Sequence, residues 1–230
     1  MSSSPAEPGA RDPRELSAED AVDVDLIPPR VVLPKVRRAV AVGLLVTVVI
    51  AVVVAVLAGP VWGTAVLVAG AAPGLGGYLG VARRRVVLDH RVLTRRTLRT
   101  QRVNLMDADE VDLVAEVARL AQVSLRIRHG RTTVRLPVAL YEGPGRGRVR
   151  GRELPMLGTR RLAEALDRNR RAEVRDIGRV LAEQSRSQAS STPMRDRPLF
   201  RAAGIAREVG GAEELVFTAD EVDEIARPPW

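Results

Sequence analysis

Between Ala39 and Ala82 the chain runs for 44 residues without Asp, Glu, Lys, Arg or His, about twice the roughly 20 apolar residues that carry a helix across a bilayer core. A soluble helix normally keeps one polar face, and neither half of this stretch has one, which argues against the competing reading of two buried core helices. Two crossings fit the length. The break belongs at Gly59-Pro60, because proline has no amide hydrogen and disfavours helical geometry in the residue before it. The prediction is a transmembrane hairpin over residues 36–82, with spans near 39–58 and 61–82.

Orientation follows from the flanks. Arg30, Lys35, Arg37 and Arg38 precede the first span, Arg83, Arg84, Arg85, Arg91, Arg95 and Arg96 follow the second, and the connecting turn is uncharged. By the positive-inside rule this is a multi-pass protein of the cell membrane with both termini cytoplasmic. Arg37, Arg38, Arg83, Arg84, Arg85, Arg95 and Arg96 are thus candidates either for binding anionic lipid headgroups or for setting topology alone. Of the 36 basic residues only Lys35 is lysine, a bias that suggests a high-GC bacterial genome and weakens any argument from arginine identity, so position is the better guide. Trp62 near the turn and Tyr78 near the inner end sit where amphipathic rings favour the interface.

The second span carries Gly70, Gly74, Gly76 and Gly80 at four-residue spacings, with Pro73 among them. Small residues so spaced let helix backbones approach closely in lipid, where packing drives association. Packing of the two helices of one hairpin is the favoured reading, and a homodimer is the alternative. Pro73 predicts a kink.

Residues 1–29 hold seven carboxylates against Arg11 and Arg14 and read as a disordered acidic arm. A signal peptide would reach its apolar core sooner. Beyond the hairpin, short β-rich runs appear at Val86–Leu88, Val92–Thr94 and Val103–Leu105, and residues 110–122 fit strand or helix, with strand preferred. Leu162, Leu166, Val174, Ile177 and Leu181 mark a closing helix near 159–184, interrupted at Asn169, Arg170 and Arg171, which divide it if it splits. Residues 185–230 read as a Ser-rich linker and an acidic tail with one short helix, which Thr218 and Glu221 open as a capping box.

The clearest hairpin is Leu125-Arg126-Ile127-Arg128-His129-Gly130-Arg131-Thr132-Thr133-Val134-Arg135-Leu136-Pro137, alternating on either side of a His-Gly turn. With the preceding membrane hairpin and the closing helix, it resembles bacterial membrane proteins that carry a cytoplasmic PH-like domain. The resemblance covers about residues 83–184 and implies a strongly bent β-sheet capped by a helix, used as a scaffold and not as a catalyst. The expected fold class is an α+β membrane protein: a two-helix transmembrane hairpin and a small β-rich, PH-like cytoplasmic domain closed by a helix.

Chemistry-bearing motifs are absent from the sequence. There is no cysteine, which removes thiolate nucleophiles and cysteine-ligated metals. His90 and His129, the two histidines, lie at predicted turns without partners at ligand spacing, and Asp107, Asp109, Glu110 and Asp112 lack the glycine and distal glutamate of a calcium loop. No catalytic, cofactor or metal residues are assigned, and no cofactor is expected. Eight arginines between Arg83 and Arg102, and eight between Arg126 and Arg152, point to an anionic partner. The Gly145-Arg146-Gly147-Arg148 run has almost no aromatic stacking partners, which argues against nucleic acid. Two functions are expected: a non-enzymatic membrane-anchored adaptor whose basic domain lies at the inner leaflet and recruits a protein partner, or an accessory subunit of a larger membrane complex held by the glycine-rich second helix.

Overall fold

The computed structural model describes residues 21–26, 29–83, 85–96, 100–143, 150–210 and 214–227. Its architecture is α+β: a helical hairpin near the N-terminus, two antiparallel sheets, and helices packed on those sheets.

The hairpin consists of α1 (Pro29–Ala58) and α2 (Pro60–Arg83). They turn where the sequence placed the break: Gly59 has φ of +98, which glycine adopts freely, and Pro60 opens α2 at a position whose missing amide would have had no helical partner. Within α1, Leu33–Ala58 is the one stretch among the described residues that is long and apolar enough to cross a membrane, and almost none of it is buried. The helix starts earlier than the apolar block, so Lys35, Arg37 and Arg38 stand on its first turns.

The first sheet has the order β1-β2-β3-β4, made of β1 (Ala21–Asp23), β2 (Arg85–Asp89), β3 (Val92–Arg96) and β4 (Thr100–Asn104). The helical hairpin is inserted between two neighbouring strands of this sheet. Ala21 faces Asp89 and Asp23 faces Val87, and the Val24 amide donates to Val86 O at 3.1 Å. This corrects the boundary of the acidic arm, because residues 21–26 belong to the fold and Val24 and Leu26 lie in the core. Their apolar side chains are interleaved with Asp23 and Asp25, so local composition masks a strand whose register comes from β2, some sixty residues later. Residues 1–20 lie outside the described residues.

The second sheet has the order β8-β7-β6-β5-β9. Residues 110–122 are strand, as preferred, but they belong to two: β5 (Glu110–Val117) reverses at Ala118-Arg119 into β6 (Leu120–His129). The predicted His129-Gly130 turn leads into β7 (Thr132–Glu142), which pairs with β8 (Gly151–Glu153).

The closing helix is two helices, divided where the apolar stripe was interrupted: α3 (Met156–Asp167) and α4 (Ala172–Ala189). Asn169 sits buried at the division, where its Nδ2 donates to Leu105 O at 2.8 Å and to Ala108 O at 3.2 Å, and its Oδ1 accepts from the Arg171 amide. α3 packs on β1 and β2, while α4 packs on β5.

Residues 185–230 are not a linker and tail. α4 continues to Ala189, α5 (Pro198–Val209) lies across β5, β6 and β7, β9 (Glu214–Val216) pairs with β5, and α6 (Ala219–Ala226) docks on α4. Of the serines read as a linker, Ser185 and Ser187 lie within α4 and are buried. Beside them Gln184 Oε1 accepts from the Leu199 amide, satisfying a first-turn donor of α5. The predicted capping box is present, the Thr218 side chain and Glu221 closing on each other's amides.

Two ionic clusters fasten this C-terminal region. Glu153, whose side chain is 5% exposed, accepts from Tyr141 Oη at 2.8 Å and from Gln188 Nε2 at 3.1 Å, and pairs with Arg197. Burial, reinforced by the Glu153 carboxylate, raises the Tyr141 hydroxyl well above its usual range and keeps it a donor. Gly151 is required beside it, since a Cβ there would meet Leu140 O at 2.9 Å and the Tyr141 ring. On β9, Glu214 pairs with both Arg126 and Arg135. Arg126 also binds Asp112 at 2.9 Å, and that hydrogen bond raises its already high pKa.

Candidate functional site

β2 begins two positions after the last residue of α2, so the arginines after the hairpin are sorted by strand register. Arg85 faces Arg96 across the ladder and Val86 faces Arg95, which gathers Arg85, Arg95 and Arg96 at the end of the first sheet nearest the helices. Arg37 and Arg38 are exposed on α1. No ion pair joins any of these five to a carboxylate among the described residues, and an unpaired guanidinium is a ready bidentate donor to an anionic oxygen. Arg83 is the last residue of α2, and Arg84 lies outside the described residues.

The glycines divide. A Cβ on Gly70 would lie 2.6 Å from Thr47 Cγ2, and one on Gly74 would lie 3.8 Å from Val40 Cγ1, so both face α1. Gly76 and Gly80 meet nothing within 4 Å and take no part in that contact. The tightest approach was not anticipated: a Cβ on Gly63 would lie 2.5 Å from Ala55 Cβ and 2.8 Å from Ala51 O. Its signal was present in the seven-residue interval to Gly70, two helical turns along one face.

The acidic residues of 107–112 are occupied structurally. Asp107 accepts from Asn104 Nδ2 at 2.6 Å, Asp109 accepts from the Gly130 amide at 2.6 Å, and Glu110 and Asp112 pair with Arg128 and Arg126. No group of three or more metal-ligating side chains forms among the described residues. His129 Nδ1 lies 2.8 Å from Asp107 O, while His90 adjoins Asp89 at the β2–β3 turn.

The Gly130 hydrogen bond, with smaller help from His129, Arg171 and Arg128, lowers the Asp109 carboxyl below its usual range. A depressed folded value means that the stabilisation is present above the ordinary carboxylate range and is lost as pH falls through the lowered midpoint. The stability gap between the wild type and Asp109→Asn should therefore close on acidification through that midpoint, tracked by the Gly130 amide resonance. A midpoint at or above that of a free aspartate would contradict the assignment.

Fold and site together define an α+β protein with a candidate membrane helix near its N-terminus, an antiparallel β-sheet domain and a basic edge between them that has no ion pair among the described residues. No family model, no curated protein and no solved structure matches the chain.

Proposed function

We propose that the protein is a non-enzymatic adaptor of the cell membrane. In this reading α1 and α2 both cross the bilayer, both termini are cytoplasmic, and the two sheets and their helices form a PH-like domain held against the inner leaflet. The observation that carries it is the insertion of the apolar hairpin between the paired strands β1 and β2. Both ends of the anchor are tied into one sheet, so the domain is fixed at the membrane surface in one pose.

Exposed Leu45, Val53, Leu57, Val61 and Val68 on the two helices favour a lipid environment. Arg37, Arg38, Arg85, Arg95 and Arg96 would lie at headgroup level, where each basic residue gains about 1 kcal/mol from anionic lipid. The PH-like reading is supported by a four-stranded antiparallel sheet followed by the β5–β6–β7 meander and a closing helix. β8, β9 and the helices beyond α3 exceed that pattern.

Because the chain lacks cysteine, single-cysteine labelling tests the topology directly. Ala58→Cys should react with an impermeant maleimide from outside intact spheroplasts, and Ala189→Cys only after lysis. Reaction of both before lysis, or of neither, would overturn the topology. Co-purification of the full chain from gently solubilised native membranes should yield a stoichiometric cytoplasmic partner. Substrate turnover abolished by one side-chain change would sink the non-enzymatic reading.

A second reading, an accessory subunit of a membrane complex, is supported by Gly76, Gly77 and Gly80, which leave part of α2 open to a further helix.

A further inference from the structure

At the far end of β2 from the helices, the β2–β3 turn and α3 enclose a cleft of about 330 Å³. Its floor is apolar, made of Leu88 and Ala165, both fully buried. Its walls are basic. His90 and Arg91 come from the turn, while Arg161 and Arg168 project from α3 at an interval of seven residues, two helical turns along one face. We propose that this cleft binds the phosphate group of a small, water-soluble phosphate ester.

Charge supports an anion. Among the described residues Glu164 is the one carboxylate in the lining, and it is already engaged by Arg160 at 2.9 Å and by Arg161 at 3.8 Å within α3. Asp89 is not part of the lining and lies 3.2 Å from His90 Nδ1. Neither Arg91 nor Arg168 is paired with a carboxylate among the described residues. Two guanidinium forks therefore face the cleft with donors to spare, and planar forks match phosphate oxygens. Arg168 is the C-cap of α3, so the helix dipole gives an anion no help there and the side chains carry the site.

Backbone geometry adds a second observation. His90 holds φ of +51 in the turn that joins β2 to β3, a conformation in which glycine would be the cheaper residue. The corresponding turn between β6 and β7 does use glycine, Gly130 at φ of +56. A side chain retained in a left-handed position at the mouth of a cleft points to a role for that side chain.

Size and position narrow the ligand. The cleft exceeds a bare phosphate, and its apolar floor suits the carbon skeleton of an ester. β2 spans five residues, roughly 15 Å at about 3.3 Å per residue, so under the proposed topology the cleft opens towards the cytoplasm, away from the headgroup layer. The cleft itself does not depend on that topology; only the choice of a soluble ligand over a lipid does.

The test is calorimetric titration of the full chain in zwitterionic nanodiscs with pyrophosphate and with glycerol 3-phosphate, beside a flotation assay on vesicles containing phosphatidic acid. Saturable binding of the soluble probes is expected, weakened at least tenfold in Arg91→Gln/Arg168→Gln. It should be unchanged in Arg119→Gln/Arg131→Gln, which removes the same charge elsewhere. Absence of saturable binding, or equal weakening in both double variants, would overturn the proposal. Arg91- and Arg168-dependent binding of vesicles alone would overturn the soluble ligand, and the labelling pattern of Ala58→Cys would show separately whether the topology is also wrong.

Discussion

Glu153→Ala should destabilise the β-sheet domain by about 3–5 kcal/mol, the usual cost of removing one partner from a buried ion pair. The carboxylate is 5% exposed and Arg197 18% exposed, so the guanidinium left behind has little access to water. Tyr141 Oη would lose its acceptor at the same time, inside a residue that is fully buried. Three parts of the chain meet on this carboxylate: β7 through Tyr141, the end of α4 through Gln188, and the entry to α5 through Arg197. Against a typical domain stability of roughly 5–15 kcal/mol, such a loss is a large fraction of the whole. Urea unfolding of the detergent-solubilised full chain, followed by far-ultraviolet circular dichroism, measures it. The double variant Glu153→Leu/Arg197→Met should recover the part of the loss due to the stranded guanidinium, because replacing both charges by apolar groups leaves neither one stranded, while the Tyr141 hydroxyl still lacks its acceptor. A single variant that shifts the transition by less than about 1 kcal/mol would show that water reaches the pair and screens it.

The same region explains why the C-terminal fifth was misread from sequence. Gln184, Ser185, Ser187 and Gln188 are polar, and a polar run after a helix is ordinarily a linker. Here the helix continues because three of these side chains find partners in the fold: Gln184 Oε1 receives the Leu199 amide, Ser185 donates to Ala182 O and Gln188 Nε2 reaches Glu153. None of those partners lies close enough in sequence for a window of ten residues to reveal it, except Ala182. β1 escaped notice for the same reason, since its pairing partner lies beyond the whole helical hairpin.

Features with local causes were legible. The turn at Gly59-Pro60, the His129-Gly130 reversal and the Thr218 capping box each depend on residues within a few positions of one another, and the division at Asn169 was marked by its local polar run although its Nδ2 partners lie some sixty residues away. The basic edge was half legible. The sequence placed Arg85, Arg95 and Arg96 after the hairpin, and the β2–β3 register brings Arg85 and Arg96 face to face. The cleft of Arg91 and Arg168 was not, because its walls come from segments about seventy residues apart that meet only when α3 packs on β2.

Gly63→Leu should break the helical hairpin, whereas Gly76→Leu should be tolerated by the isolated chain. At Gly63 even a Cβ would sit 2.8 Å from the Ala51 carbonyl oxygen and 2.5 Å from Ala55 Cβ. The first of these is backbone, so no rotamer change relieves the clash and the helices must separate. Overpacking a close contact costs about 1–3 kcal/mol, and the rigid neighbour here puts the expected loss at or above the upper end. Gly76 has no atom within 4 Å of its Cβ position, so leucine there fills open space. Hairpin closure is read by disulfide cross-linking of a cysteine pair at Val40 and Gly74, facing positions in the cysteine-free chain: efficient in the parent, lost with Gly63→Leu and kept with Gly76→Leu. The pair of variants also separates the two functional readings. If Gly76→Leu leaves cross-linking intact but strips a membrane partner during co-purification, the open glycine face is an interhelical contact and the accessory-subunit reading wins. If partners are retained, recruitment rests with the cytoplasmic domain, as the adaptor reading requires.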